Sequence, residues 1–180
     1  MRKVLYLLGQ LTDGDVEWLI AHGGKEGMVP GTILVREGQS VNALYILLDG
    51  TLEVSGTGVG GNQAVRLGCG EVVGEVSLVD GRPASATVTA GTRAVVLAIP
   101  RAELTAKLES DPKFAARFYR SLAIFLAHRL RATGQRLAYG KDQPLDEDRA
   151  YDDELDAHLL DNLHMAGSRF DRVLQRLLAE

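Results

Sequence analysis

Residues 74–87 read Gly-Glu-Val-Ser-Leu-Val-Asp-Gly-Arg-Pro-Ala-Ser-Ala-Thr. Gly74-Glu75 opens a stretch suited to one short helical turn. Asp80-Gly81 closes it, because glycine accepts the left-handed conformation that ends a helix. Arg82-Pro83-Ala84-Ser85 follows, and Ala86-Thr87-Val88-Thr89 then alternates like a strand. Such a layout can cradle an anion. The first amides of a helix have no partner inside the helix, and the helix dipole places partial positive charge there. Glu75 can accept hydrogen bonds from sugar hydroxyls, while Arg82 and the Ser85 hydroxyl can meet a phosphate. The pattern points to a small-molecule sensor and not to an enzyme. Plainer uses stand beside these: Glu75 can stabilise the helix start with no ligand, Ser85 can be a strand-edge hydroxyl, and Arg82 an exposed turn residue.

Around this stretch the chain has 180 residues, enough for one sizeable core and a helical appendage. Its net charge of −4 argues against general nucleic-acid binding. Cys69 is the single cysteine, so a disulfide framework is excluded and a reducing, cytoplasmic setting is expected. No apolar run approaches the roughly 18–20 residues that span a bilayer, so no membrane partner is expected. Met1-Arg2-Lys3 followed by the apolar residues 4–8 is a poor signal peptide. The apolar run is short, and Asp13, Asp15 and Glu17 stand where a cleavage site would be.

Residues 4–22 read as helical, with Thr12 or Asp13 as a cap and Val16, Leu19 and Ile20 on one face. From about residue 28 to 100 the pattern changes to short strands with frequent glycine, at 33–35, 44–48, 51–54, 65–67, 87–89 and 94–99. Asp49-Gly50 reads as a tight hairpin turn between two of them. This spacing argues for a sandwich or barrel. After Pro100, residues 101–108 make a short helix, and Asp111-Pro112 starts a long one that Gly140 can stop. An acidic linker with Pro144 follows, then a last helix. The fold class is mainly β with flanking helices. The expected organisation is a binding domain over 1–140, a linker over 141–153 and a C-terminal amphipathic helix over 154–180.

The order helix, β-roll, short helix, long helix resembles the cyclic nucleotide-binding domain. That family includes catabolite activator proteins and the regulatory subunits of cyclic-AMP-dependent kinase. The resemblance covers about residues 10–139. It is carried by Glu37-Gly38 in an early turn, by the stretch Tyr45-Ile46-Leu47-Leu48-Asp49-Gly50-Thr51-Leu52-Glu53-Val54 as the central hairpin, and by Gly70 and Gly74-Glu75 leading into the phosphate-binding cassette. It implies an antiparallel, jelly-roll-like β-roll over 31–99, a cassette helix over 75–79, and a long lid and dimer helix over 113–139. It also implies a ligand site for cyclic AMP or cyclic GMP at Gly74, Glu75, Val76, Ser77, Arg82, Ala84, Ser85 and Ala86. Glu75 takes the ribose 2′-hydroxyl position and Ser85 the small residue beside the phosphate.

One position departs from the family. Where its phosphate-binding arginine stands, this chain has Ala84, and Arg82 lies two residues earlier, across Pro83. A guanidinium can give a phosphate two charge-assisted hydrogen bonds, each worth roughly 1.5–3 kcal/mol. Losing about 3 kcal/mol weakens binding roughly a hundredfold. Three possibilities stay open: Arg82 swings in as a substitute, the cavity takes another ligand, or the domain is a ligand-free scaffold for oligomerisation.

Other motifs are weaker. Gly56-Thr57-Gly58-Val59-Gly60-Gly61 formally satisfies GxGxxG, but a strand and not a helix follows it, so a hairpin tip is the better reading. His22, His128, His158 and His164 lie outside the β region, so a metal centre is not expected, and neither is a cofactor. Cys69 lies between glycines, as a small turn or core residue. On the long helix Tyr119, Leu122, Leu126, Leu130, Thr133 and Leu137 form an apolar stripe. On the last helix Leu159, Leu163, Ala166, Phe170, Val173 and Leu177 have coiled-coil spacing. Each stripe can face a symmetry mate or the chain's own domain; a homodimer is expected, with output passed to an unknown protein partner. The residues after 140 start acidic and offer one clear helix, which does not make a DNA-recognition unit.

Overall fold

A computed structural model describes residues 4–56, 64–138 and 157–178. The chain begins with two helices, α1 (Val4–Gln10) and α2 (Asp13–His22), where the sequence suggested one. Thr12 breaks them. Its hydroxyl accepts from the Asp15 amide (3.2 Å), and the Asp15 carboxylate accepts from the Thr12 amide (2.8 Å). This reciprocal cap satisfies amides that the start of a helix leaves unpaired.

Eight strands follow: β1 (Gly24–Met28), β2 (Ile33–Val35), β3 (Ala43–Asp49), β4 (Leu52–Ser55), β5 (Val65–Leu67), β6 (Val72–Val73), β7 (Thr87–Ala90) and β8 (Ala94–Pro100). A short helix, α3 (Glu75–Asp80), sits between β6 and β7. Then come α4 (Arg101–Ser110), α5 (Pro112–Ala138) and α6 (Ala157–Leu178). The Asp111 carboxylate accepts from the Phe114 amide (3.0 Å), so Asp111 caps α5, with Pro112 in its first turn.

The strands form two antiparallel sheets of matching order, β1-β8-β3-β6 and β2-β7-β4-β5. Each strand of the first sheet continues, after a corner, into the strand at the same place in the second. The roll is therefore a set of bent ribbons, an antiparallel β-roll. This corrects the reading of Asp49-Gly50. β3 pairs with β8 and β6, while β4 pairs with β7 and β5, so the turn is a corner between sheets and not a hairpin. Gly50 has φ +84°, and a Cβ there would collide with the Arg93 carbonyl on the neighbouring corner. Gly31 (φ +85°) and Gly70 (φ +87°) serve two other corners. The true hairpin is β4–β5; most of the GxGxxG stretch joining its arms lies outside the described residues.

β1 and β6 were not legible in the sequence. Gly24-Lys25-Glu26-Gly27-Met28 is largely exposed and owes its extended form to pairing with β8. β6 is only two residues long.

The first sheet is buried on both faces. Leu44, Ile46 and Leu48 of β3 and Leu97 and Ile99 of β8 pack towards the helices, with Leu7, Leu8, Leu19, Leu104, Phe114 and Phe118. Leu47 and Val96 face the other way, into the roll, with Val35, Leu52, Val54 and Val88. Double burial explains why β3 and β8 read as continuous apolar runs and not as alternation.

α6 packs on the chain's own N-terminal helices. Ala166, Phe170 and Val173 are buried in the core that contains Val4, Leu7, Leu8 and Leu11. Arg169 bonds Asp13 (2.7 Å) and the Leu8 carbonyl (3.0 Å), and Arg176 pairs with Glu17. Ala166, Phe170 and Val173 thus need no second chain to cover them, while Met165 and Leu178 are exposed. Leu122 of α5 is likewise buried in this core, while Tyr119 and Leu130 are exposed. The side chains of Thr133, Leu137, Leu159 and Leu163, and the whole linker 141–153, lie outside the described residues.

Candidate ligand site

β6 delivers the chain to Gly74, whose φ is +94°. A Cβ there would lie 2.7 Å from the Ala43 carbonyl and 3.1 Å from Val41, so only glycine allows this close passage against the start of β3. α3 then runs for six residues. Gly81, at φ +70°, ends it by donating its amide to the Ser77 carbonyl (3.1 Å). The Arg82 amide donates to the Asp80 carboxylate (2.9 Å), which fixes the next turn.

Beyond Pro83 the chain is clamped to the early turn at 36–39. The Ala84 amide donates to the Gln39 carbonyl, and the Gly38 amide donates to the Ala84 carbonyl, both at 2.8 Å. The Glu37 amide donates to the Thr87 hydroxyl (3.1 Å). Gly38 adopts φ +77°, which this reversal needs. This pairing turns Ala84 inward, where it is buried with Val35, Val41 and Val54.

Between α3 and this segment lies a cavity at the mouth of the roll. Gly74, Glu75, Val76, Ser77, Ala84, Ser85 and Ala86 line it, together with Val35, Val41, Val54, Leu67, Glu71, Val72, Val73 and Val88. Glu75 is 2% exposed and Ser77 4%. Arg82 is not among the lining residues; it stands exposed on the turn. The described lining holds the carboxylates of Glu71 and Glu75, the hydroxyls of Ser77 and Ser85 and valine walls, and no described lining residue is a lysine, arginine or histidine. α3 is also too short to bring a substantial dipole to bear, and its first residue is already an acid. Of the anion cradle anticipated from the sequence, Arg82 is not among the lining residues, which leaves the amides at the start of α3. Residues 71–73 were missed in the sequence; the paired valines were their only signal.

Among the described residues no group of His, Cys, Asp and Glu is placed to hold a metal ion. His22 stacks on Trp18, with ring centroids 4.3 Å apart. The Cys69 thiol donates to the Leu48 carbonyl (2.9 Å) at the β5–β6 corner, away from the cavity lining. No described helix is long and apolar enough to cross a membrane.

A two-sheet roll with a short helix and clamped turn inserted between β6 and β7 defines the class of domain. A family model described as the cyclic nucleotide-binding domain matches residues 27–111, a little under half of the chain. A solved cyclic nucleotide-binding domain from Methylobacillus flagellatus has the same fold, with a TM-score of 0.67 at 22% identity, covering 79% of this chain and 85% of that one. The N-terminal domain of a transcriptional regulator from Streptomyces coelicolor gives a TM-score of 0.58 at 29% identity, covering 78% of this chain and 99% of that one. A cyclic nucleotide-gated potassium channel of Mesorhizobium japonicum is 30% identical over 88 residues, which are 49% of this chain and 23% of the channel. The chain spans about a quarter of the length of the first curated relatives it matches.

Proposed function

We propose that this chain is a regulatory sensor module that binds a cyclic nucleotide, or a related nucleotide second messenger, in the cavity between α3 and the 84–86 segment. One observation carries it: the fold brings the two ends of the 74–86 stretch together around a buried carboxylate and two hydroxyls. A carboxylate flanked by hydroxyls suits a ligand that donates from sugar hydroxyls, and the valine walls suit an apolar ring face. The reading is of a regulatory role, as binding of a small ligand in such a cavity suits.

Ligand binding to the cavity would bias α3 and the segments packed on it between two arrangements, provided the ligand binds one of them better. The exposed side of α5, with Tyr119 and Leu130, is the surface offered to a second copy or a partner. Ala84 favours one rival, a ligand-free scaffold of the same fold.

The test is a thermal-shift screen of the whole chain against cyclic mono- and dinucleotides. A ligand that binds the native state at about 100 times its Kd adds about 2.7 kcal/mol of stability. A rise in Tm with at least one of them is expected. A flat response to the whole panel at millimolar concentration would favour the scaffold.

A further inference from the structure

We propose that the cavity takes its ligand without reading a phosphate: it recognises the nucleoside part, and the phosphodiester of a cyclic nucleotide adds nothing to its binding. This rests on the cavity being the ligand site, as proposed above.

Three observations converge. Among the described residues the lining contains no cationic side chain. The residue that projects inward from the clamped segment is Ala84, held there by paired backbone bonds to Gln39 and Gly38. A methyl group packed among valines offers a phosphate nothing in exchange for its water, and burying an uncompensated charge is costly. Arg82 is close in sequence but set apart by geometry. It belongs to the turn that Gly81 and the Asp80 carboxylate fix, it is exposed, and it is not among the lining residues. What the lining does offer, the Ser77 and Ser85 hydroxyls between apolar walls, matches neutral polar groups such as sugar hydroxyls and amino groups.

Calorimetry on the intact chain separates the possibilities, with adenosine, guanosine, cyclic AMP and cyclic GMP as probes. For whichever base binds, the nucleoside is expected to bind at least as tightly as its cyclic nucleotide, with no advantage to the nucleotide beyond about threefold, a difference below 1 kcal/mol. Installing a guanidinium by Ala84→Arg is expected to tighten the cyclic nucleotide by about tenfold or more and leave the nucleoside within about threefold. Ser85→Arg, at an exposed lining position, is the second route should the buried substitution unfold the roll. A wild-type preference for the cyclic nucleotide of about tenfold or more would overturn the proposal. Loss of that preference in Arg82→Ala would then assign the phosphate to Arg82. Absence of binding by all four probes, to wild type and both variants, would overturn the sensor reading itself, and with it this one.

Discussion

Asp15 joins three parts of the molecule through one carboxylate. It caps α2 by accepting from the Thr12 amide, and it receives a bidentate pair from Arg117 on α5, at 2.7 and 2.9 Å. Burial pushes its carboxyl up, but the Arg117 guanidinium and the Thr12 amide and hydroxyl outweigh this and hold it below the usual carboxylate range. A lowered folded-state value means that stability is present above the unfolded value of about 4 and is lost as pH falls through the folded one. Asp15→Asn is therefore expected to cost about 1.5–3 kcal/mol at neutral pH. Its deficit relative to wild type should shrink as pH is lowered below about 4. Urea melts from pH 7 to pH 2.5 would check this, and a deficit independent of pH would contradict it. The cap half of this arrangement was legible, since Thr12 stands before an apolar-periodic run. The Arg117 half was not, because no local pattern pairs residues 15 and 117. The same limit applied at Arg82: its distance in sequence from Ala84 made a substitute plausible, and only the turn geometry set it outside the cavity.

At the scale of elements, local signals located the segments well, while pairing and coverage depended on distant partners. Asp49-Gly50 has hairpin chemistry, but its glycine serves a corner because β3 and β4 each find their neighbours elsewhere. Gly50→Ala should cost about 1–2 kcal/mol for the left-handed backbone alone, and more from the collision with Arg93. Denaturant melts equal to wild type would show that the corner is not so constrained. The seam of α6 shows the same limit. Its spacing gave an apolar stripe without saying what covers it, and the cover is α1 and α2, with which α6 shares the helical core. Phe170→Ala is thus expected to cost about 3–5 kcal/mol, while Met165→Ala, at an exposed position, should stay within about 0.5 kcal/mol. Equal and small effects would mean that α6 is not docked on the domain.

At the scale of the whole molecule, one sheet separates two apolar cores. Its inner face closes the roll around the cavity, and its outer face packs against the helices. Assembly, if it occurs, should use what the fold leaves uncovered on α5. Leu130→Ser is expected to weaken a dimer without changing stability, whereas a polar residue at the buried Leu122 should destabilise the fold itself. Light scattering at tens of micromolar, paired with thermal melts, would check both; a monomeric wild type would rule the dimer out. The central claim, a ligand site between α3 and the 84–86 segment, is tested most directly by titrating the ¹⁵N-labelled chain with cyclic AMP, cyclic GMP and their nucleosides. Saturable shifts centred on the amides of Gly74, Glu75, Ser77, Ala84, Ser85 and Ala86 are predicted for at least one of them. Spectra unchanged at millimolar ligand, or shifts confined to residues away from this cavity, would contradict it.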